Sequence, residues 1–266
     1  MASKHQSDLR IVLLGKTGAG KTEAWNAILG KKASATGRSA ASVTAKCEMA
    51  KREFGKQTLA VVDTPGLFHT QKSVDQVMKE ILESTMHVVP GPHVLLLVIK
   101  LGPFSSEDKK TLEVFKKVFP NAKSHTIVLF THGDKYGKDC KGFIEANPAL
   151  KTFISESCEE YHVFKKDDKD QVADLLQKVN NVVQKNKEGY YSNDLINKAV
   201  TAFDKIMESK GESKEAALGR LWGYISAGLA EVEKLDPGLF GHVKSFLDKL
   251  KEVALQWMPP EAFQQK

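Results

Sequence analysis

A chain of 266 residues, 41% hydrophobic and 27% charged, can bury a sizeable core unaided, which excludes a fibrous or largely disordered protein. Its three cysteines, Cys47, Cys140 and Cys158, make neither an even disulfide set nor a Cys-x-x-Cys pair, which argues against an extracellular scaffold and a zinc site. The basic excess behind the net charge of +6 lies in the first 188 residues, where 29 basic residues face 22 acidic ones against 10 and 11 in the remainder, but the lysines fall in scattered pairs without interleaved aromatics, so a solvated surface is favoured over a nucleic-acid groove.

The first predicted element is the strand Leu9–Leu14, a short apolar run. Gly15-Lys16-Thr17-Gly18-Ala19-Gly20-Lys21-Thr22 follows it, fits G-x-x-x-x-G-K-[ST] without mismatch, and leads into a helical stretch over Lys21–Leu29. Gly15, Gly18 and Gly20 let the backbone curl so that successive N–H groups face phosphate oxygens, aided by the positive end of the helix. Lys21 is suited to the β- and γ-phosphates and the Thr22 hydroxyl to Mg2+.

Next comes Ser42-Val43-Thr44, where the Thr44 hydroxyl is the candidate to close on Mg2+ and the γ-phosphate. The more polar stretch Thr44–Phe54 is expected to be an edge strand. The strand Leu59–Val62 ends in Asp63-Thr64-Pro65-Gly66, with Asp63 placed for the Mg2+ shell and the Gly66 N–H for the γ-phosphate. Val74, Val77, Ile81 and Leu82 have helical spacing, and His93–Ile99 reads as a strand buried on both faces. A helix through Leu112, Phe115, Val118 and Phe119 precedes the strand Thr126–Phe130.

Thr131-His132-Gly133-Asp134 follows that strand, where a base-recognition motif should lie. A carboxylate at Asp134 can accept from both N1–H and the exocyclic amine of guanine, a donor pair adenine lacks. His132 is placed to lie against the base plane, and a capping or surface histidine is the competing reading. A further helix runs through Val172, Leu175, Leu176 and Val179. Strands alternating with helices predict an α/β fold with a parallel sheet covered on both faces, and ligands bind outside the carboxyl ends of such strands.

The pattern changes near Gly189, which sets a nucleotide-binding domain over residues 8–188 and a helical extension over residues 189–266. In the extension Leu218, Leu221, Trp222, Ile225, Leu229, Val232 and Leu235 share one helical face, and Phe240, Val243, Phe246, Leu247, Leu250, Val253 and Trp257 share another. Asp236-Pro237-Gly238 is the expected turn between them. These stripes suit packing within the protein, and a partner or membrane surface is the alternative. The first twenty residues hold no apolar core of a signal peptide and no apolar run nears the roughly 20 residues that span a bilayer, so a cytoplasmic protein is expected.

Together these motifs resemble the GTPases of the immunity-associated protein family (GIMAP), relatives of the septins and the chloroplast import-receptor GTPases. Beyond the loop, the resemblance rests on Asn26-Ala27-Ile28-Leu29-Gly30, Ser42-Val43-Thr44-Ala45-Lys46-Cys47, Val62-Asp63-Thr64-Pro65-Gly66-Leu67-Phe68, Phe104-Ser105-Ser106-Glu107-Asp108, Tyr161-His162-Val163-Phe164 and Gly189-Tyr190-Tyr191-Ser192. It implies a mostly parallel six-stranded GTPase sheet with added helices, binding of GTP and GDP with Mg2+, nucleotide-controlled dimers or oligomers on cytoplasmic membrane surfaces, and a role in immune homeostasis. The nucleotide-contacting set is then Gly15, Lys16, Thr17, Gly18, Ala19, Gly20, Lys21, Thr22, Glu23, Gly66, His132 and Asp134; Thr22, Thr44 and Asp63 hold the metal, and Thr44 and Gly66 are the candidates for the catalytic step. A nucleotide-bound scaffold that binds a partner through its C-terminal helices is the alternative.

Three positions depart from the family pattern. Trp25 replaces a small residue in the first helix, close in sequence to the phosphate loop. Lys165-Lys166 stand where the family carries two asparagines, the first of which contributes to guanine recognition, which leaves a backbone N–H as the remaining donor for guanine O6. Pro103, in Leu101-Gly102-Pro103-Phe104, removes an arginine that can act across a dimer. With Leu67 after the Asp63–Gly66 motif in place of a water-orienting glutamine, slow hydrolysis is expected, unless Arg38, Arg52 or a partner protein supplies the missing group.

Overall fold

The computed structural model describes residues 8–30, 47–55, 57–64, 66, 84, 87–134, 140–165, 168, 170–211, 213–227, 235 and 237–257. Six strands, β1 (Leu9–Leu14), β2 (Glu48–Phe54), β3 (Gln57–Asp63), β4 (Val94–Lys100), β5 (Thr126–Thr131) and β6 (Glu160–Val163), form one sheet in the order β2-β3-β1-β4-β5-β6. All neighbours are parallel except the β2–β3 hairpin. The protein is thus an α/β protein with a mostly parallel six-stranded sheet.

Helices α1 (Lys21–Ile28), α2 (Ser106–Val118), α3 (Cys140–Glu145), α4 (Pro148–Ser157) and α5 (Gln171–Lys185) flank this sheet. The period-two alternation of the strands divides their side chains between two layers. Ile11, Leu13, Val61, Leu96, Ile127 and Leu129 pack with Ala24 and Ile28 of α1 and with Leu175, Leu176 and Val179 of α5. Phe130 points the other way, where its ring meets Phe143 of α3 at 5.9 Å, while Phe115 of α2 meets Phe153 of α4 at 5.5 Å. Truncating a fully buried ring such as Phe130 costs about 3–5 kcal/mol.

At the sheet's outer edge β2 exposes Met49 beside Glu48, Lys51 and Glu53, whose charges discourage edge-to-edge pairing. Of the predicted stretch Thr44–Phe54, Glu48–Phe54 is strand and Cys47 is not, while residues 44–46 lie outside the described residues, as does the helical spacing at Val74–Leu82. Strand β6 and helices α3 and α4 are too short, and their apolar spacing too irregular, to announce themselves by periodicity.

Two compact units divide the chain, one within Met1–Phe68 and Pro92–Tyr191, the other within His69–Gly91 and Ser192–Lys266. Tyr191 is fastened in the first: its N–H donates to the Pro92 carbonyl at 2.7 Å and its hydroxyl to the Pro120 carbonyl at 2.9 Å. In the second, α6 (Asp194–Lys210) packs along α8 (Pro237–Trp257) and touches α7 (Lys214–Ala227). Asn193 caps α6 by accepting from the Ile196 N–H at 2.9 Å. Leu195, Ile196, Ala199, Phe203 and Ile206 of α6 are buried, as are Leu221, Val243, Phe246, Leu247 and Leu250. Helix α6 supplies a third apolar stripe beside the two predicted ones, and Pro237 opens α8 rather than sitting in a turn. Among the described residues no helix is long and apolar enough to cross a membrane.

Candidate functional site

Three loops meet at the carboxyl ends of β1, β3 and β5. The first, Gly15–Gly20, needs its glycines for two different reasons. Gly18 and Gly20 have positive φ, 75° and 91°, which only glycine adopts without strain. Gly15 is pressed against β4, where a Cβ would stand 2.4 Å from the Val98 carbonyl oxygen. Across the loop the buried Lys21 ammonium donates to the carbonyls of Gly15 at 3.0 Å and Lys16 at 3.1 Å.

Helix α1 leaves the loop with Gly20 as its N-cap and Glu23 in its first turn. Thr22, one residue into α1, donates through Oγ1 to Asp63 Oδ2 at 2.8 Å. This bond joins the two described metal-ligand candidates; Thr44 lies outside the described residues. Thr64 continues the link by donating to the Leu13 carbonyl at 2.6 Å, and Gly66 abuts Thr17, whose Oγ1 would lie 2.1 Å from a Cβ at position 66.

From β5, Thr131 donates to the Ala19 carbonyl at 2.7 Å and so bonds the third loop to the first. The His132 Nδ1 lies 3.2 Å from that hydroxyl oxygen. His132 takes a left-handed conformation, φ 62°, and turns the chain so that the Gly133 N–H donates to the Phe164 carbonyl at 2.9 Å. A Cβ on Gly133 would lie 2.6 Å from Val163 Cγ1, so only glycine allows this approach to β6. Asp134 is exposed at the end of the turn. The Lys165 backbone N–H donates to Gln171 Oε1 at 2.7 Å.

Several predicted features turn out to be occupied elsewhere. Trp25, expected near the phosphate loop, is buried in the core and donates through Nε1 to the Val61 carbonyl at 3.0 Å. Arg52 donates to the Ile28 carbonyl at 2.7 Å, at the C-terminal end of α1, and pairs with Leu59, four residues before Asp63 along β3. That places its guanidinium far from the loop, while Arg38 lies outside the described residues.

Sequence reasoning missed the contributions of Thr131, Ser105 and Asp108. Lys16 reaches out of the loop to Asp108 Oδ1 at 2.7 Å, at the start of α2. The Ser105-x-x-Asp108 spacing is a readable capping box, but nothing in the sequence ties it to a residue 92 positions earlier.

A match to the AIG1 family covers residues 9–210, which takes in the whole of this site. The chain belongs to the AIG1 family. It is 35% identical over 199 residues to the human GTPase IMAP family member 8, covering 72% of this chain and 30% of that protein. It is 30% identical over 254 residues to Immune-associated nucleotide-binding protein 9 of Arabidopsis thaliana, covering 88% of this chain and 70% of the relative. The chain therefore spans less than a third of the human relative's length. Among solved structures, a dimerization-deficient Toc33 from Arabidopsis thaliana superposes with a TM-score of 0.53 at 21% identity, over 67% of this chain and 85% of that one. Toc33 in complex with GDP and Mg2+ gives 0.50 at 20% identity, over 67% of this chain and 85% of that one. At this identity the likeness concerns the fold.

Proposed function

We propose that this protein is a guanine-nucleotide switch, with residues 8–188 as its nucleotide-binding domain and residues 189–266 as a helical extension. The observation that carries the reading is the pair of bonds, Thr22 to Asp63 and Thr131 to Ala19, that gathers three loops around one glycine-rich phosphate cradle. The residues fit a Mg2+-nucleotide: a hydroxyl and a carboxylate stand together, and the cradle leaves no room for a Cβ at Gly15 or Gly66. Bound Mg2+ would supply charge neutralisation across the β- and γ-phosphates. Gly15, Lys16, Thr17, Gly18, Ala19 and Gly20 wrap the phosphates, Lys21 contributes the cation, and Thr22 and Asp63 with Thr44 hold the metal. Glu23 borders the cradle, Gly66 offers its N–H, and His132 and Asp134 address the base.

GTP is proposed to order the segments around Thr44 and Gly66 and to create a surface for a second copy, as γ-phosphate contacts do in nucleotide switches. The family resemblance supports dimers or oligomers, peripheral association with cytoplasmic membrane surfaces, and a role in immune homeostasis. The decisive experiment titrates GTP and ATP against wild type and Asp134→Ala, then measures mass by light scattering with GDP and with a non-hydrolysable GTP analogue. Preference for GTP that is lost in Asp134→Ala, and a larger mass with the analogue alone, are expected. Equal affinity for ATP and GTP overturns the base assignment, and a constant monomer mass favours a static nucleotide-bound scaffold.

A further inference from the structure

Lys16 presents two polar groups, its ammonium and its carbonyl, to different sets of partners. Its ammonium leaves the loop and meets Asp108 Oδ1 at 2.7 Å, Asp108 Oδ2 at 2.9 Å and Ser105 Oγ at 3.4 Å, all at the start of α2. Its carbonyl faces the opposite way, into the loop, and accepts from the Ala19 N–H at 3.2 Å and from Lys21 Nζ at 3.1 Å. The same residue thus holds the perch of the phosphate-binding lysine and fastens that perch to a helix outside the loop.

The anchor is rigid. Asp108 is buried, and its Oδ2 also accepts from the Ser105 N–H at 2.8 Å and from the Ser105 hydroxyl at 2.7 Å. A capping box is complete with Ser105 and Asp108 alone, so the Lys16 contact is additional to what α2 requires. With only 21% and 9% of the two side chains exposed, the pair is shielded from salt and water far better than a surface ion pair.

Resting on the nucleotide reading above, we propose that Lys16 is a positioning residue, which sets the Lys21 ammonium for the nucleotide phosphates by tying its own carbonyl to Asp108 of α2. Lys16 is then no phosphate ligand through its side chain, although it belongs to the phosphate loop. Because α2 begins directly after the Leu101–Phe104 connection, the tether also makes the phosphate cradle sensitive to displacement of that connection.

The test follows release of a fluorescent GDP analogue from the full chain in Mg2+, for wild type, Lys16→Met, Asp108→Asn, the double variant and Lys16→Arg, with urea unfolding of each nucleotide-free protein alongside. Loss of the charged partner should speed release about tenfold in either single variant. The double variant should be no faster than one single variant, since both remove one interaction. Lys16→Arg should stay within about threefold of wild type, because a guanidinium can still pair with the carboxylate. A purely structural tether would lower the urea midpoint in Lys16→Met and leave release at the wild-type rate, and that outcome overturns the proposal, as does multiplication of the two effects in the double variant. If Asp108→Asn fails to fold through loss of its cap, the Met and Arg variants at position 16 still decide. Wild type that holds no GDP overturns the nucleotide reading and this inference together, whereas wild type that holds GDP beside variants with unchanged release overturns this inference alone.

Discussion

Gly66 lies so close to Thr17 that a methyl group on its α-carbon would stand 2.1 Å from Thr17 Oγ1 and 2.8 Å from both the backbone nitrogen and the α-carbon of Thr17. Rotating the threonine relieves the first clash but not the other two. The loop after β3 and the phosphate loop are therefore in contact through backbone. We expect Gly66→Ala to push the two loops apart and cost about 1–3 kcal/mol of stability, the usual effect of overpacking. Calorimetric titration should find GDP affinity within about threefold of wild type and the affinity for a GTP analogue reduced about tenfold or more, as for loss of a donor aimed at the transferred phosphate. Equal losses for both nucleotides would assign Gly66 to general loop stability.

Pro103 is exposed in the connection that follows β4, whose Leu101 N–H donates to the Thr131 carbonyl at 3.1 Å. Substitution there leaves the core untouched. With Arg52 committed to the end of α1, slow single-turnover GTP cleavage is expected for wild type. Pro103→Arg should raise the rate with protein concentration, toward the roughly 10³-fold minimum of an arginine finger. Fast, concentration-dependent cleavage by wild type would show that another group or a second copy already serves.

His93 provides a pH test at the other end of the sheet. Its Nδ1 accepts from the Arg10 N–H at 3.0 Å, and burial, then the charge of Arg10 and His125, lower the imidazole to about 4. Since an unfolded histidine titrates near 6.5, its contribution to stability is complete above about pH 6.5 and disappears as pH falls through about 4. His93→Asn keeps an acceptor without the titration. Urea unfolding between pH 7 and pH 4 should show wild type losing stability more steeply than the variant, by at most about 1.4 kcal/mol per pH unit. Identical slopes would remove His93 from the acid sensitivity.

Cys158 is buried between β6 and the end of α4, and desolvation raises its thiol to about 12. The thiolate is the reactive form, so native protein at pH 8 should leave Cys158 unalkylated by iodoacetamide, and urea should expose it. Mass spectrometry of the tryptic peptide reads this directly; modification in the native protein at the rate of the unfolded chain would contradict the burial.

The phosphate cradle was legible because its chemistry is local. A glycine loop between an apolar strand and a helix lies within fourteen consecutive residues, and the fold leaves their order unchanged. The continuous run Val94-Leu95-Leu96-Leu97-Val98-Ile99 likewise announced a strand buried on both faces, and it is one. What failed to show was long-range. Trp25 read as a neighbour of the loop, yet helical rotation turns its indole onto β3, where Val61 supplies an acceptor. Helix α6, by contrast, was legible on the same grounds as the two predicted stripes, since Leu195, Ile196, Phe203 and Ile206 recur at helical spacing on its buried face. The tie of Lys16 to Asp108 depends on where α2 begins relative to β1, a matter of tertiary geometry.

The strand order has a metric consequence. Between β1, which launches the phosphate loop, and β5, which launches the turn carrying Asp134, stands only β4. Two interstrand spacings amount to about 10 Å. Thr131 at the end of β5 closes that distance by donating to the Ala19 carbonyl at 2.7 Å, so the two loops touch across the end of β4. Displacing either loop therefore displaces the other, although the strands that launch them are not neighbours in the sheet.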